Sequence, residues 1–62
     1  MNFRDFASQP FTRADLDRLT EEEEQVLVKR RRGASVIQTA FDLNMSRASV
    51  HRRQNSIMHK LP

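Results

Sequence analysis

Sixty-two residues make one domain at most, and a chain of this size buries only about 60% of the surface its unfolded form exposes, which excludes a deep active site. Its 37% apolar and 31% charged residues are lean for a core but too patterned for disorder, and the absence of cysteine excludes disulfides and thiolate metal sites. Eleven Lys and Arg against eight Asp and Glu give a net charge of +3, and the surplus gathers at 29–32 and 47–62, the charge footprint of a nucleic-acid binder.

Residues 1–18 read as an N-terminal arm. Phe3, Phe6 and Phe11 follow no clear period and Pro10 breaks any regular element between them, so the order of this arm depends on what it packs against. Thr12 followed by Asp15 reads as an N-cap with an acid in the first turn, and Leu16 and Leu19 are three apart, which predicts a short helix over 13–18. Arg4, Asp5, Arg13, Asp15, Asp17 and Arg18 argue against a signal peptide or a membrane span, so a cytoplasmic protein without a membrane partner is expected.

Thr20 with Glu23 three residues on is a capping box, and good helix formers follow up to Gly33, a natural residue just past a helix end; a helix over 21–32 is predicted. Its four Glu come first and Lys29, Arg30, Arg31 and Arg32 come last, so each block faces the end of the helix dipole that stabilises it. The basic block has a second reading as a set of phosphate contacts.

Ser35 with Gln38 forms another capping box, and Val36, Ala40 and Leu43 recur at helical spacing up to Asn44, where the chain can turn left-handed and bury Met45. Ser46 caps the last helix. Val50, Ile57 and Leu61 give that helix an apolar stripe, interrupted by the polar Gln54, while His51, Arg52, Asn55 and His59 fall on other faces. The expected fold is all-α, a small three- to four-helix helix-turn-helix domain over 19–62, with Val26, Leu27, Val36, Ala40, Leu43, Met45, Val50, Ile57 and Leu61 as its core.

From Leu19 to Leu61 the chain resembles the LuxR-type, or GerE-like, DNA-binding domain. In "LTEEEEQVL" the residues Leu19, Thr20, Glu23, Val26 and Leu27 match the family pattern, and in "GAS" Gly33 and Ser35 do. Ala40, Leu43, Ser46, Val50, Ile57, Lys60 and Leu61 continue the match in register. Departures are Thr39 where the family usually has Ile, Asn44 for its turn Gly, and Arg53 for its His; the family's fourth helix, commonly its dimer contact, has no counterpart. Region 4 of sigma factors shares the same skeleton.

The resemblance implies a last helix in the major groove, with His51, Arg52 and Asn55 at the base-facing positions. Arg suits guanine because its fork donates two bonds, to O6 and N7, and Asn can pair likewise with adenine; Arg52 is the best single candidate. Ser46, Arg47, Ser49 and Arg53, at the helix start or on its flank, are assigned to DNA phosphates, where backbone amides and the dipole already favour anions.

The expected function is that of a bacterial or phage transcription regulator that binds double-stranded DNA. The alternative is a protein-interaction module whose Phe-bearing arm and acidic first helix dock on RNA polymerase or a larger regulator. An enzyme is not expected, since no nucleophile stands with an evident base and no phosphate loop is present. No cofactor is expected, and no metal, because His51 and His59 are too far apart in sequence for a shared ligand set. A single domain covers one half-site, so a homodimer is expected through the Phe3, Phe6 and Phe11 arm or the last helix.

Overall fold

Five short polar residues, Asn2, Thr12, Thr20, Ser35 and Ser46, each place a side-chain oxygen on a backbone amide three positions ahead and so start the five helices of the computed structural model, which describes residues 2–62. The helices are α1 (Phe3–Ala7), α2 (Arg13–Leu16), α3 (Glu21–Arg31), α4 (Val36–Asp42) and α5 (Arg47–Lys60). At Thr12 and Thr20 the box is reciprocal, because the Asp15 and Glu23 carboxylates accept from the cap amides at 3.1 and 2.8 Å.

Two helices end by the same device. After α3 the Gly33 amide donates to Arg30 and the Ala34 amide to Lys29, with Gly33 at φ +97°; after α4 the Asn44 amide donates to Phe41 and the Met45 amide to Ala40, with Asn44 at φ +54°. Both are Schellman ends, which need one left-handed residue, and Asn is the best non-glycine choice for it. The second end turns the chain tightly into Ser46, so α4 and α5 follow one another with only 43–46 between them.

Helix α5 packs on both α3 and α4, and α1 packs on α3. Val26 and Leu27 of α3, Ala40 of α4, and Val50, Ile57 and Leu61 along α5 meet in one core, against which Val36, Leu43 and Met45 are half-buried. Thr39 is also fully buried there, and its hydroxyl has no hydrogen-bond partner.

The all-α architecture is as expected, but the N-terminal segment differs from the arm read over residues 1–18. Phe3, Phe6 and Ala7 belong to the same core as α3 and α5, with Phe3 and Phe11 rings 5.8 and 5.4 Å from that of Phe6. Arg31 of α3 holds the segment from the other side by donating to the Gln9 carbonyl at 3.1 Å. Among the described residues three helices lie within 19–62 and α2 lies within the short helix expected over 13–18, so α1 is the addition, and it exists because α3 offers its Phe side chains a surface to cover. Of the three Phe side chains expected to meet a second copy, Phe3 and Phe6 are buried inside the chain and Phe11 is half-buried.

Candidate nucleic-acid interface

Helix α5 divides lengthwise. Val50, Gln54 and Ile57 point into the core; Ser49, Arg53, Ser56 and Lys60 are half-buried on the flank toward α3; and Arg47, Ala48, His51, Arg52, Asn55, Met58 and His59 share the exposed side. The exposed side carries two Arg, two His, the Asn55 amide, Ala48 and Met58, and it has no acid, because no Asp or Glu occurs after Asp42.

What fixes this face in space is a set of polar ties on the other sides. Gln54, read from the sequence as an interruption of the apolar stripe, is buried and accepts from Arg30 Nε at 3.0 Å, while Arg30 Nη1 donates to the Ala34 carbonyl at 2.6 Å. Glu23 is 3% exposed and accepts from Lys60 Nζ at 2.7 Å and from the Ser56 hydroxyl. Burial alone would raise the pKa of Glu23; the hydrogen bonds from Lys60, Ser56 and the Thr20 amide, with the Lys60 charge, outweigh it and lower the pKa to about 2. The buried group is thus an anion already matched by donors.

His51, Arg52 and Asn55, the three base-contact candidates, lie together on the exposed side. Arg52 Nη2 rests on Ser49 Oγ at 3.1 Å, one turn back, and Ser46 Oγ donates to the same oxygen at 3.2 Å. Ser46 also accepts from the Ser49 amide at 3.1 Å, which leaves the amides of Arg47 and Ala48 without an intrahelical partner at the positive end of the dipole. Of the four phosphate candidates, Ser46 and Arg47 are exposed at this end, and Ser49 is half-buried as a bridge between Ser46 and Arg52.

Arg53 is placed differently from the phosphate role read for it. Its Nη2 pairs with Glu22 Oε2 at 2.8 Å and its Nε is buried, so the guanidinium faces α3 and its charge is answered within the chain. Three residues of the basic block at the end of α3 are also tied within the chain, Lys29 to Asp42 at 3.2 Å, Arg30 to Gln54 and the exposed Arg31 to the Gln9 carbonyl, while Arg32 is exposed. Hydrogen bonds from Gln38 and Lys29 lower the pKa of Asp42. Ala48 is a member of the exposed face that the sequence did not single out, although it stands four positions before Arg52, and His59, expected off the apolar stripe, lies on the same side.

Among the described residues no group of three or more His, Cys, Asp or Glu side chains could hold a metal ion, and no helix is long and apolar enough to cross a membrane. The chain matches no protein-family model, no curated protein and no solved structure. The resemblance to LuxR-type domains accordingly rests on the residues that carry it.

Proposed function

We propose that this chain is a sequence-specific duplex-DNA-binding transcription regulator of the LuxR-like kind, bacterial or phage, that lays the exposed side of α5 in the major groove. The observation that carries the reading is the division of α5: a side free of acid bearing His51, Arg52 and Asn55, backed by a side tied to α3 through Gln54, Ser56 and Lys60. A recognition helix needs both a free face of donors and acceptors and a rigid mount behind it.

In this reading Arg52 leaves Ser49 to donate to guanine O6 and N7, Asn55 pairs with adenine, and His51 makes a single bond. Ala48, the small residue of the first turn, lets the helix approach closely. Arg47 and the first amides of α5 take phosphates, with Ser46 beside them, and Arg53 acts by fixing α5 to α3. The burial of Phe3 and Phe6 in the core favours this reading over the alternative of a Phe-bearing arm and acidic helix that dock on RNA polymerase or a larger regulator.

Binding to a mixed-sequence duplex, followed by fluorescence anisotropy across a salt series, tests the reading. A logarithmic affinity that falls with salt by about 0.9 per phosphate contact is expected. Absence of binding at low salt would overturn it.

A further inference from the structure

Helix α4 leaves a phenyl ring in solvent. Phe41 is 81% exposed, in a chain that leaves Phe3 and Phe6 only 8% and 6% exposed. The ring forms one wall of an open hollow of about 500 Å³ whose other walls are Ala40, Asn44, Met45 and Ser46. None of these walls is charged. Asp42, the one charge on α4, is answered by Lys29 at 3.2 Å and by Gln38 at 2.8 Å, so no free acid stands beside the hollow on its own helix.

The place of the hollow selects its occupant. Its last wall, Ser46, is the N-cap of α5 and adjoins the Arg47 and Ala48 amides, which have no intrahelical partner and call for an anion. An apolar seat therefore lies directly beside an anion seat. A protein segment with only apolar side chains would use the first and leave the second empty, whereas a nucleic-acid strand alternates phosphate with sugar, each sugar bonded directly to a phosphate. It fills both at once. The order of the helices agrees, since the first helix of a helix-turn-helix crosses the backbone while the second enters the groove, and α4 is that first helix.

We propose that Phe41, with the hollow at Ala40 and Met45, seats a deoxyribose of the DNA strand whose phosphate binds at the start of α5. The proposal rests on the DNA reading and adds to it a backbone contact of another kind. Phe41 and Met45 pack on the CH and CH₂ groups of the sugar, and the buried Ala40 gives the seat its depth. A contact without charge releases no counterion, so its share of the affinity does not fall with salt as that of Arg47 does.

The experiment is fluorescence anisotropy of the full chain on a mixed-sequence duplex across a salt series, with wild type, Phe41→Ala and Phe41→Leu, beside nuclear Overhauser spectra of the wild-type complex. Phe41→Ala folds, since Ala is the best helix former and the site is exposed, and circular dichroism checks this. Phe41→Ala should weaken binding about tenfold at every salt concentration and leave the salt slope unchanged, and Phe41→Leu should keep most of the affinity. Overhauser contacts from the Phe41 ring to sugar protons are expected. Wild-type affinity in Phe41→Ala, or a ring without contacts to sugar protons, would overturn the seat while the DNA reading stands. Self-association of the free chain that Phe41→Ala abolishes, with DNA affinity intact, would overturn it too and assign the face to a second copy. A wild type that binds no duplex at low salt would fail the DNA reading itself and the seat with it.

Discussion

Lys60 Nζ lies 2.7 Å from Glu23 Oε1, an ion pair that joins the last turn of α5 to the first turn of α3 across 37 positions of the chain. The same carboxylate closes the capping box of α3 by accepting from the Thr20 amide. One buried side chain therefore both starts α3 and anchors the far end of α5, while Arg30 and Gln54 anchor its middle.

Glu23→Gln should destabilise the fold by about 1 to 2 kcal/mol at neutral pH, a figure held low because Lys60 is 37% exposed and solvent screens the pair. The pKa of Glu23 is lowered from 4.5 to about 2, so its contribution is full above pH 4.5 and is lost as pH falls toward 2. Urea denaturation of wild type and variant along a pH series checks this: the stability gap should shrink across that window, and a gap independent of pH would contradict the role given to Glu23.

Thr39→Val should raise stability by about 1 kcal/mol. The Thr39 hydroxyl is buried without a partner, and an apolar group of the same shape removes an unmet polar group from the core. A higher thermal midpoint by differential scanning calorimetry is expected; a lower one would mean that the hydroxyl is satisfied in solution.

Asn44→Gly should be neutral or stabilising by a few tenths of a kcal/mol, because Asn44 sits at φ +54°, where glycine carries no Cβ penalty. Asn44→Val should cost more than about 1 kcal/mol, since a β-branched residue resists that conformation. Equal stability of the two variants would show that the turn relaxes to another conformation.

Much of this fold was legible because capping chemistry is local. Thr12, Thr20, Ser35 and Ser46 announce their helices within four residues, and Gly33 and Asn44 announce two ends. Helix α1 was not legible: five residues hold no period, and Phe3 and Phe6 are ordered by α3. The Asn2 cap on the Asp5 amide at 2.9 Å was its one local sign. In the candidate site, the exposed positions of His51, Arg52 and Asn55 follow from helical spacing, but the ties of Arg53 to Glu22 and of Arg30 to Gln54 do not. A sequence shows that an Arg is charged; which carboxylate or amide answers it depends on how the helices cross.

Arg47 and Arg53 should separate on this ground. Arg47→Ala should weaken DNA binding by a similar factor on all sequences and reduce the salt slope by about 1. Arg53→Ala should leave the slope unchanged and instead lower stability, because it removes the partner of Glu22 at 2.8 Å. Anisotropy titrations at several salt concentrations, with thermal melts of the same proteins, distinguish the two; a slope reduced alike by both variants would return Arg53 to the phosphate set.

Whether α5 reads base edges is measured by a selection from random duplex DNA at moderate salt with the wild type and Arg52→Ala side by side. The wild type should enrich a motif containing a guanine whose preference the variant loses, at a discrimination of about 1 to 3 kcal/mol. No enriched motif, or one that Arg52→Ala retains unchanged, would contradict groove reading by this helix.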